Sequence, residues 1–541
     1  MKSAVLIIFF LPFFALSQNQ NLSANRPQTS TVKTTLGFNN YYLRPHSYRK
    51  LKIAVLDKGF QGWQKELGQS LPKTTKYIPG PINTPPDIAQ QDHGLRMAQI
   101  VTSLLTNDLQ VKEFIPELYL YNVYGFSNFK AAIQDLIHKK VDLVLYSEVW
   151  DYGGNGDGQG FINQEVNKAT KQGIIWINAA GNFEQSTYVS AIESIQDQWV
   201  RLPNNNNALE VRCTTDRQKC PLRIVLSWND FKNDVEQGTN KDLDLALTDD
   251  LLNIVATSAL KQTEESTDNR PGLSKYPREI IEAEVNPGVY FLRVKNRSQN
   301  FSSTDRLRIT IDGEGFILPS KTSGSTVLNP ADNPNVITVG AYDSDRSSYS
   351  SNLQKPDLLT ASSITLNDGR EFRGSSNAAA IAAAAFALIK LSNPAALNQK
   401  QIFSLLRPFW MAEKGLSLND LQFTPTAGNC FQSYATQGQY PGALPTYVSD
   451  FILQGTHLVY TSQGQRLLTP LDPLTWAPDL KRNQYNDMVV LTPAGQLQVF
   501  SRWQQIPQGY IEVFQAPQEA QLCPRNTNNI WSKIYLGLPG L

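Results

Sequence analysis

Four polar residues stand where apolar segments begin or end. Asp57 closes the run "KIAVLD", His93 opens the helical stretch "HGLRMAQIVTSLL", Asn182 follows "INAAG", and Ser376 lies at the mouth of "SSNAAAIAAAAFALIK". An acid, an imidazole, an amide and an alcohol are the parts of nucleophilic catalysis at a carbonyl carbon. A serine hydroxyl attacks poorly at neutral pH unless an imidazole takes its proton, and a carboxylate must hold that imidazole in the useful tautomer. The oxyanion then needs donors already in place, commonly a backbone N–H and an amide side chain. A serine that opens a helix meets part of this need, because first-turn N–H groups lack helical partners and the helix dipole favours negative charge there. Singly, each residue has a plainer reading: Asp and Asn as turn residues, His as a surface or capping residue, Ser as an N-cap. Only the combination points to one chemistry.

The elements that would position these groups are legible in the apolar periodicity. Between 51 and 198, short β-rich runs ("KIAVLD", "VDLVLYS", "IIWINAAGN") alternate with helical stretches ("GLRMAQIVTSLL", "FKAAIQDLIHKK"). Such alternation predicts a parallel sheet covered by helices. From 199 to 317 the pattern becomes alternating strands separated by polar turns, which predicts an inserted antiparallel β-sandwich. The α/β pattern returns over 318–425, and 426–541 reads as a small β-rich C-terminal domain. The expected architecture is one parallel-sheet α/β domain in two parts, interrupted by the sandwich. Ligands of open parallel sheets bind beyond the C-terminal strand ends, where the four polar residues are expected.

Composition narrows the partners. Lys plus Arg number 49 against 48 acids, a formal charge of +1, so no electrostatic case exists for a nucleic-acid partner. Residues 1–17 combine Lys2, an apolar run and small residues near a cleavage point, as a secretory signal peptide does. The run is shorter than the roughly 20 residues that span a bilayer, and no stable membrane span is expected after its removal. Residues 18–50 form a polar N-terminal arm. The four cysteines, Cys213, Cys220, Cys430 and Cys523, permit three pairings; 213–220 with 430–523 keeps each bridge inside one region, and export makes disulfides plausible. The four His residues are scattered and form no zinc pattern. Asp242, Asp244, Asp249 and Asp250 have the oxygens a structural calcium ion takes, although alternating Asp in a strand also describes a solvent face. The chemistry itself requires no cofactor.

With these residues in order, the chain resembles the subtilisin-type serine peptidases, or subtilases. "IAVLDKGF" is similar to that family's Asp motif, "DHGLRMAQI" to its His motif, "INAAGN" to its oxyanion strand and "GSSNAAAIAAAAFALIKLSNP" to its serine helix, while "NPNVITVGAYDSDRSSYSSNLQKPDLLTAS" resembles the segment before the serine. The resemblance spans about residues 50–200 and 320–395. It implies Ser376 as nucleophile, His93 as general base, Asp57 as its orienting partner and Asn182 as side-chain oxyanion donor. It also implies a substrate groove walled by Ser147, Glu148 and Val149 on one side and Ala179, Ala180 and Gly181 on the other. The inserted strands resemble the jelly-roll modules attached to many secreted peptidases.

Several positions depart from the pattern. Lys58 replaces the usual small hydroxyl residue after the Asp, removing one expected support for the carboxylate. Leu95 and Arg96 stand for Thr and His, Asn377 for Met, Ala380 for Pro, and Val149 and Trp150 for glycines. None removes a catalytic group. The implied function is a secreted serine endopeptidase acting on protein or peptide substrates through an acyl-enzyme. The alternative is a weak or inactive subtilase scaffold whose β modules bind proteins or glycans. An α/β-hydrolase esterase fits less well, because its triad follows the order Ser, Asp, His. The polar stretch 18–50 is too short for the folded prodomain many secreted subtilases carry, so maturation without one is expected. The check is Ser376→Ala: a larger pro-form that accumulates in this variant but is trimmed in wild type contradicts that expectation.

Overall fold

Runs of Ile, Val and Leu with no polar alternation can be strands only where helices cover both faces of a sheet, and the structure places them so. The computed structural model describes residues 26–36, 38, 51–105, 116–203, 206–215, 218–264, 272–392 and 398–400, with eight further backbone strands between Cys430 and Cys523. A seven-stranded sheet runs in the order Leu358–Thr360, Ile337–Ala341, Ile175–Ala179, Leu143–Tyr146, Lys52–Asp57, Glu117–Asn122, Lys76–Ile78. Every pairing in it is parallel. The register sets Leu56 opposite Tyr146 and Tyr146 opposite Asn178, so the strand ends that carry the candidate residues lie level.

The helix Ser375–Ser392 explains its own composition. Ala378 to Phe386, Ile381 included, are all 0% exposed. This helix packs against the helix His93–Leu105 and against the strands Ile337–Ala341, Ile175–Ala179 and Leu143–Tyr146. A helix enclosed on all sides has room only for small side chains at interior density, which lets its first turn approach the sheet closely. The arm is less independent than its polarity suggests: Pro27–Gln28 pairs with the strand Ile364–Leu366, and Val32, Leu36 and Phe38 enter the core that includes Ile53 and Val55. The signal segment and the remainder of the arm lie outside the described residues.

The inserted region forms two antiparallel sheets around one shared core. One has five strands, in the order Ile254–Ser258, Leu243–Thr248, Gly288–Asn296, Leu209–Cys213, Phe316–Ile317. The other has four: Arg278–Val285, Cys220–Trp228, Arg306–Gly313 and Thr187–Ala191. Leu245, Leu292 and Val294 from the first meet Ile224, Leu226, Ile281 and Ile309 from the second. The strand Thr187–Ala191 precedes the expected insertion start at 199, so the four-stranded sheet takes an edge strand from the flanking α/β segment. Cys213 and Cys220 are disulfide-bonded with Cα atoms 6.0 Å apart, as the local pairing requires. At the C-terminal end, Cys430–Gln432 runs parallel to Glu519–Cys523; the side chains of Cys430 and Cys523 lie outside the described residues. Among the described residues, no helix is long and apolar enough to cross a membrane.

Candidate active site

Asp57 is the last residue of its strand and is 1% exposed. A carboxylate so placed must have its oxygens satisfied, and four donors converge on it. Oδ1 accepts the backbone N–H groups of Lys58 at 2.8 Å and Gly59 at 3.3 Å. Oδ2 accepts His93 Nδ1–H at 2.7 Å and the Ser147 hydroxyl at 2.7 Å. The support that Lys58 cannot supply as a small hydroxyl residue therefore comes from the neighbouring strand end.

His93 opens its helix, and the Gly94 N–H donates to Gly59 O at 2.9 Å, pinning that helix start beside the Asp57 strand. Glycine is required there by contact: a Cβ at position 94 would stand 2.5 Å from Asp57 Cβ and 2.6 Å from the Phe60 ring. With Nδ1 committed to Asp57, Nε2 is the atom left to accept a proton. Burial disfavours the charged ring, but the charge and hydrogen bond of Asp57, helped by Glu148 and opposed by Lys58, raise its pKa to about 9. The side chain is 40% exposed, so solvent screens part of this pull. Burial alone would raise Asp57, yet the His93 charge and hydrogen bond, Ser147 and Gly59 leave it below its ordinary value.

Ser375 and Ser376 divide the work of the helix mouth. The Ser375 hydroxyl accepts the Gly181 N–H at 3.0 Å, and its own N–H donates to Asn182 Oδ1 at 3.0 Å. Asn377 N–H and Ala378 N–H both return to Gly374 O. Among the described residues this leaves the Ser376 N–H and the Asn182 Nδ2 group without acceptors, two donors flanking the same helix start. Gly374 has φ 146°, and a Cβ there would stand 3.1 Å from Asn182 Nδ2. The Ser376 hydroxyl donates to Ser147 O at 2.9 Å and shares no hydrogen bond with His93 among the described residues. Ser147 thus touches both members: its hydroxyl holds the carboxylate, its carbonyl the serine.

The expected groove walls are adjacent. Ala179 and Ala180 are buried, Ala180 N–H donates to Val339 O at 2.9 Å, and Gly181 O accepts Ser348 N–H at 2.9 Å. A side chain at Gly181 would meet Phe183, Ser348 and, at 3.4 Å, Val149 Cγ2, so Val149 narrows this gap. The Lys58–Glu148 contact was not legible in the sequence: Lys58 Nζ stands 2.7 Å from Glu148 Oε2. The Glu148 charge raises the Lys58 ammonium further above its ordinary range, while burial and Asp57 push the Glu148 carboxyl up against the pull of Lys58. Glu148, Asp57 and His93 present one ligand atom each within 4.8 Å of one another, but Asp57 is committed to His93 and Ser147, and Glu148 to Lys58. Elsewhere Asp244 pairs with Arg297, and Asp249 accepts the N–H groups of Leu251 and Asn253 in its turn. Asp242, Asp244, Asp249 and Asp250 form no three-ligand cluster among the described residues.

Comparison with known proteins adds to this geometry. A family model described as the subtilase family matches residues 48–292 and 296–409. Among solved structures, the CspB protease of Clostridium perfringens is 12% identical with a TM-score of 0.42, covering 70% of this chain and 92% of its own. MycP1 from Mycobacterium smegmatis is 11% identical with a TM-score of 0.31, over 72% of this chain and 80% of its own. The epidermin leader peptide processing serine protease of Staphylococcus aureus is 13% identical with a TM-score of 0.32, over 67% and 70%. No curated protein matches the chain.

The electrostatics make a direct prediction. The His93 ring, followed by NMR and assigned with a His93→Gln variant, titrates above the ordinary value of 6.5 and toward about 9. Asp57→Asn removes the main stabiliser of the charged ring and brings the midpoint down. A wild-type midpoint at or below 6.5 contradicts the pairing.

Proposed function

Because the chain belongs to the subtilase family, we propose that it is a secreted serine endopeptidase working through Asp57, His93 and Ser376, with Asn182 in the oxyanion hole. The single observation that carries this reading is the Asp57–His93 bond of 2.7 Å, made by a buried carboxylate at strand ends that also bring Ser147 to the Ser376 hydroxyl. A carboxylate bonded to Nδ1 fixes the tautomer whose Nε2 can take a proton.

The reaction requires the Ser376 hydroxyl to leave Ser147 O and donate to His93 Nε2 instead. Oγ then attacks the substrate carbonyl carbon as its proton passes to Nε2, and Asp57 stabilises the imidazolium. The carbonyl oxygen, now negative, lies against the Ser376 N–H and Asn182 Nδ2, the two donors left without acceptors. Ser375 supports the Asn182 half of this arrangement, since its N–H occupies Oδ1 and so turns Nδ2 outward. Collapse of the tetrahedral intermediate expels the amine, which takes the proton from His93 and leaves an ester on Ser376. Water, activated by the same imidazole, hydrolyses that ester. Extended peptides fit the level strand ends, with Ser147–Val149 and Ala179–Gly181 as walls. Export rests on the signal-like residues 1–17 and on the disulfide between Cys213 and Cys220.

The test is reaction with a fluorophosphonate probe, which labels an activated serine. Wild type is expected to label and Ser376→Ala to remain unlabelled; a folded wild type that does not label overturns the reading in favour of an inactive binding scaffold. Asn182→Ala is expected to lower turnover of a peptide substrate by about 10²–10³-fold with the His93 titration unmoved. An unchanged turnover removes Asn182 from the mechanism.

A further inference from the structure

The ion pair beside His93 takes no part in the proton transfers above, yet it sits where charge matters most. Lys58 directly follows Asp57 at one strand end, and Glu148 directly follows Ser147 at the next. Their charged groups meet at 2.7 Å, and the Glu148 side chain is only 16% exposed. A Glu148 oxygen falls within 4.8 Å of ligand atoms of both Asp57 and His93. Two carboxylates therefore flank one imidazole. The charged groups acting on that ring are Asp57, Glu148 and Lys58, while on its own helix Arg96 is paired with Asp92 at 2.9 Å.

One carboxylate is useful to a general base, since it stabilises the imidazolium that forms during attack. A second, uncompensated one at this range would hold the proton on the ring to still higher pH and delay the appearance of the free base, because an opposite charge within about 4–6 Å favours the charged form. We propose that Lys58 is a positioning residue that keeps His93 available as a base, by holding Glu148 in an ion pair rather than leaving it as a second free negative charge beside the imidazole. The proposal rests on the serine peptidase reading, and it explains why the residue after Asp57 is a long cation. Its partner stands across the strand gap, beyond the reach of a small hydroxyl side chain. The hydroxyl that bonds the Asp57 carboxylate is that of Ser147, on the same strand end as Glu148. Lys58 and Glu148 then form a unit: either alone unbalances the site, and both together are close to neutral.

The experiment measures the second-order rate of Ser376 modification by a small fluorophosphonate across pH, which reads the Ser376–His93 couple without peptide contacts. Lys58→Met is expected to move the rising limb to higher pH, and Glu148→Gln to lower pH, each by on the order of one unit. The double variant is expected to return close to wild type, and Lys58→Arg to keep the wild-type limb. Circular dichroism checks that each variant is folded; if Lys58→Met does not fold, the downward shift of Glu148→Gln decides the matter. Limbs that coincide in wild type and Glu148→Gln, or a double variant that keeps the shift of either single, overturn the inference. If wild type itself never reacts, the peptidase reading fails and this inference with it; if it reacts but the limbs do not move, only this inference fails.

Discussion

A buried negative charge at the end of a β-strand is the constraint from which the site follows. Asp57 is almost completely removed from water, and an unpaired carboxylate there would sooner bind a proton than stay charged. Its four donors come from three separate places: its own turn, the first residue of the helix His93–Leu105 and the strand end at Ser147. Each donor requires the others' backbones to be correctly placed, so the carboxylate works as a register mark for the sheet's C-terminal edge. Gly94 belongs to the same constraint, because no larger residue lets the helix approach this closely.

The alanine helix solves the opposite problem. Here the burden is to bring a half-buried hydroxyl to the sheet on an element with almost no polar surface. Alanine has the highest helix propensity and loses no side-chain freedom on burial, so a segment of this kind can be both enclosed and straight. The tight fit against the strands Leu143–Tyr146 and Ile175–Ala179 then carries the first turn to Ser147 O and Asn182 Oδ1. Ser375 is the less obvious half of the pair: it joins Gly181 and Asn182 to the helix start, while the next hydroxyl turns to Ser147 O.

Much of this was legible in the sequence, and the remainder was hidden for physical reasons. The parallel sheet showed through because strands buried on both faces lose polar alternation, and the inserted sheets showed through because half-buried strands keep it. Asp57, His93, Asn182 and Ser376 stood out as polar residues at apolar boundaries. Ser147 was expected only as a groove wall, since nothing local reveals that its hydroxyl points at a carboxylate 90 positions earlier in the chain. The Lys58–Glu148 pair was invisible for the same reason: neighbouring strand ends are distant in sequence, and a lysine after an aspartate looks like a simple departure. The edge strand Thr187–Ala191 was missed because strand pairing is non-local, and its partner Arg306–Gly313 lies more than a hundred residues on.

That edge strand bears on why an insertion sits so close to the chemistry. It begins only a few residues after Asn182, so the four-stranded sheet grips the chain just after the strand Ile175–Ala179 leaves the parallel sheet. A second grip acts on the segment that follows Ser147, Glu148 and Val149. Arg223 pairs with Asp151, the Arg278 guanidinium lies 3.8 Å above the Tyr152 ring, and half-buried Arg308 donates to Val327 O at 3.3 Å. Trp150 N–H in turn donates to Asn329 O at 2.7 Å, two residues from that carbonyl. Stacked and half-buried guanidinium contacts hold geometry better than mobile lysine pairs, because the planar fork loses less freedom per hydrogen bond. Both walls of the groove therefore continue into segments anchored by the inserted sheets. The glycines that Val149 and Trp150 replace would have left this strand freer, whereas Trp150 buries its ring against Phe129 and Tyr152. The loss of those glycines and the gain of the inserted sheets act in one direction, toward a fixed backbone at the candidate groove walls.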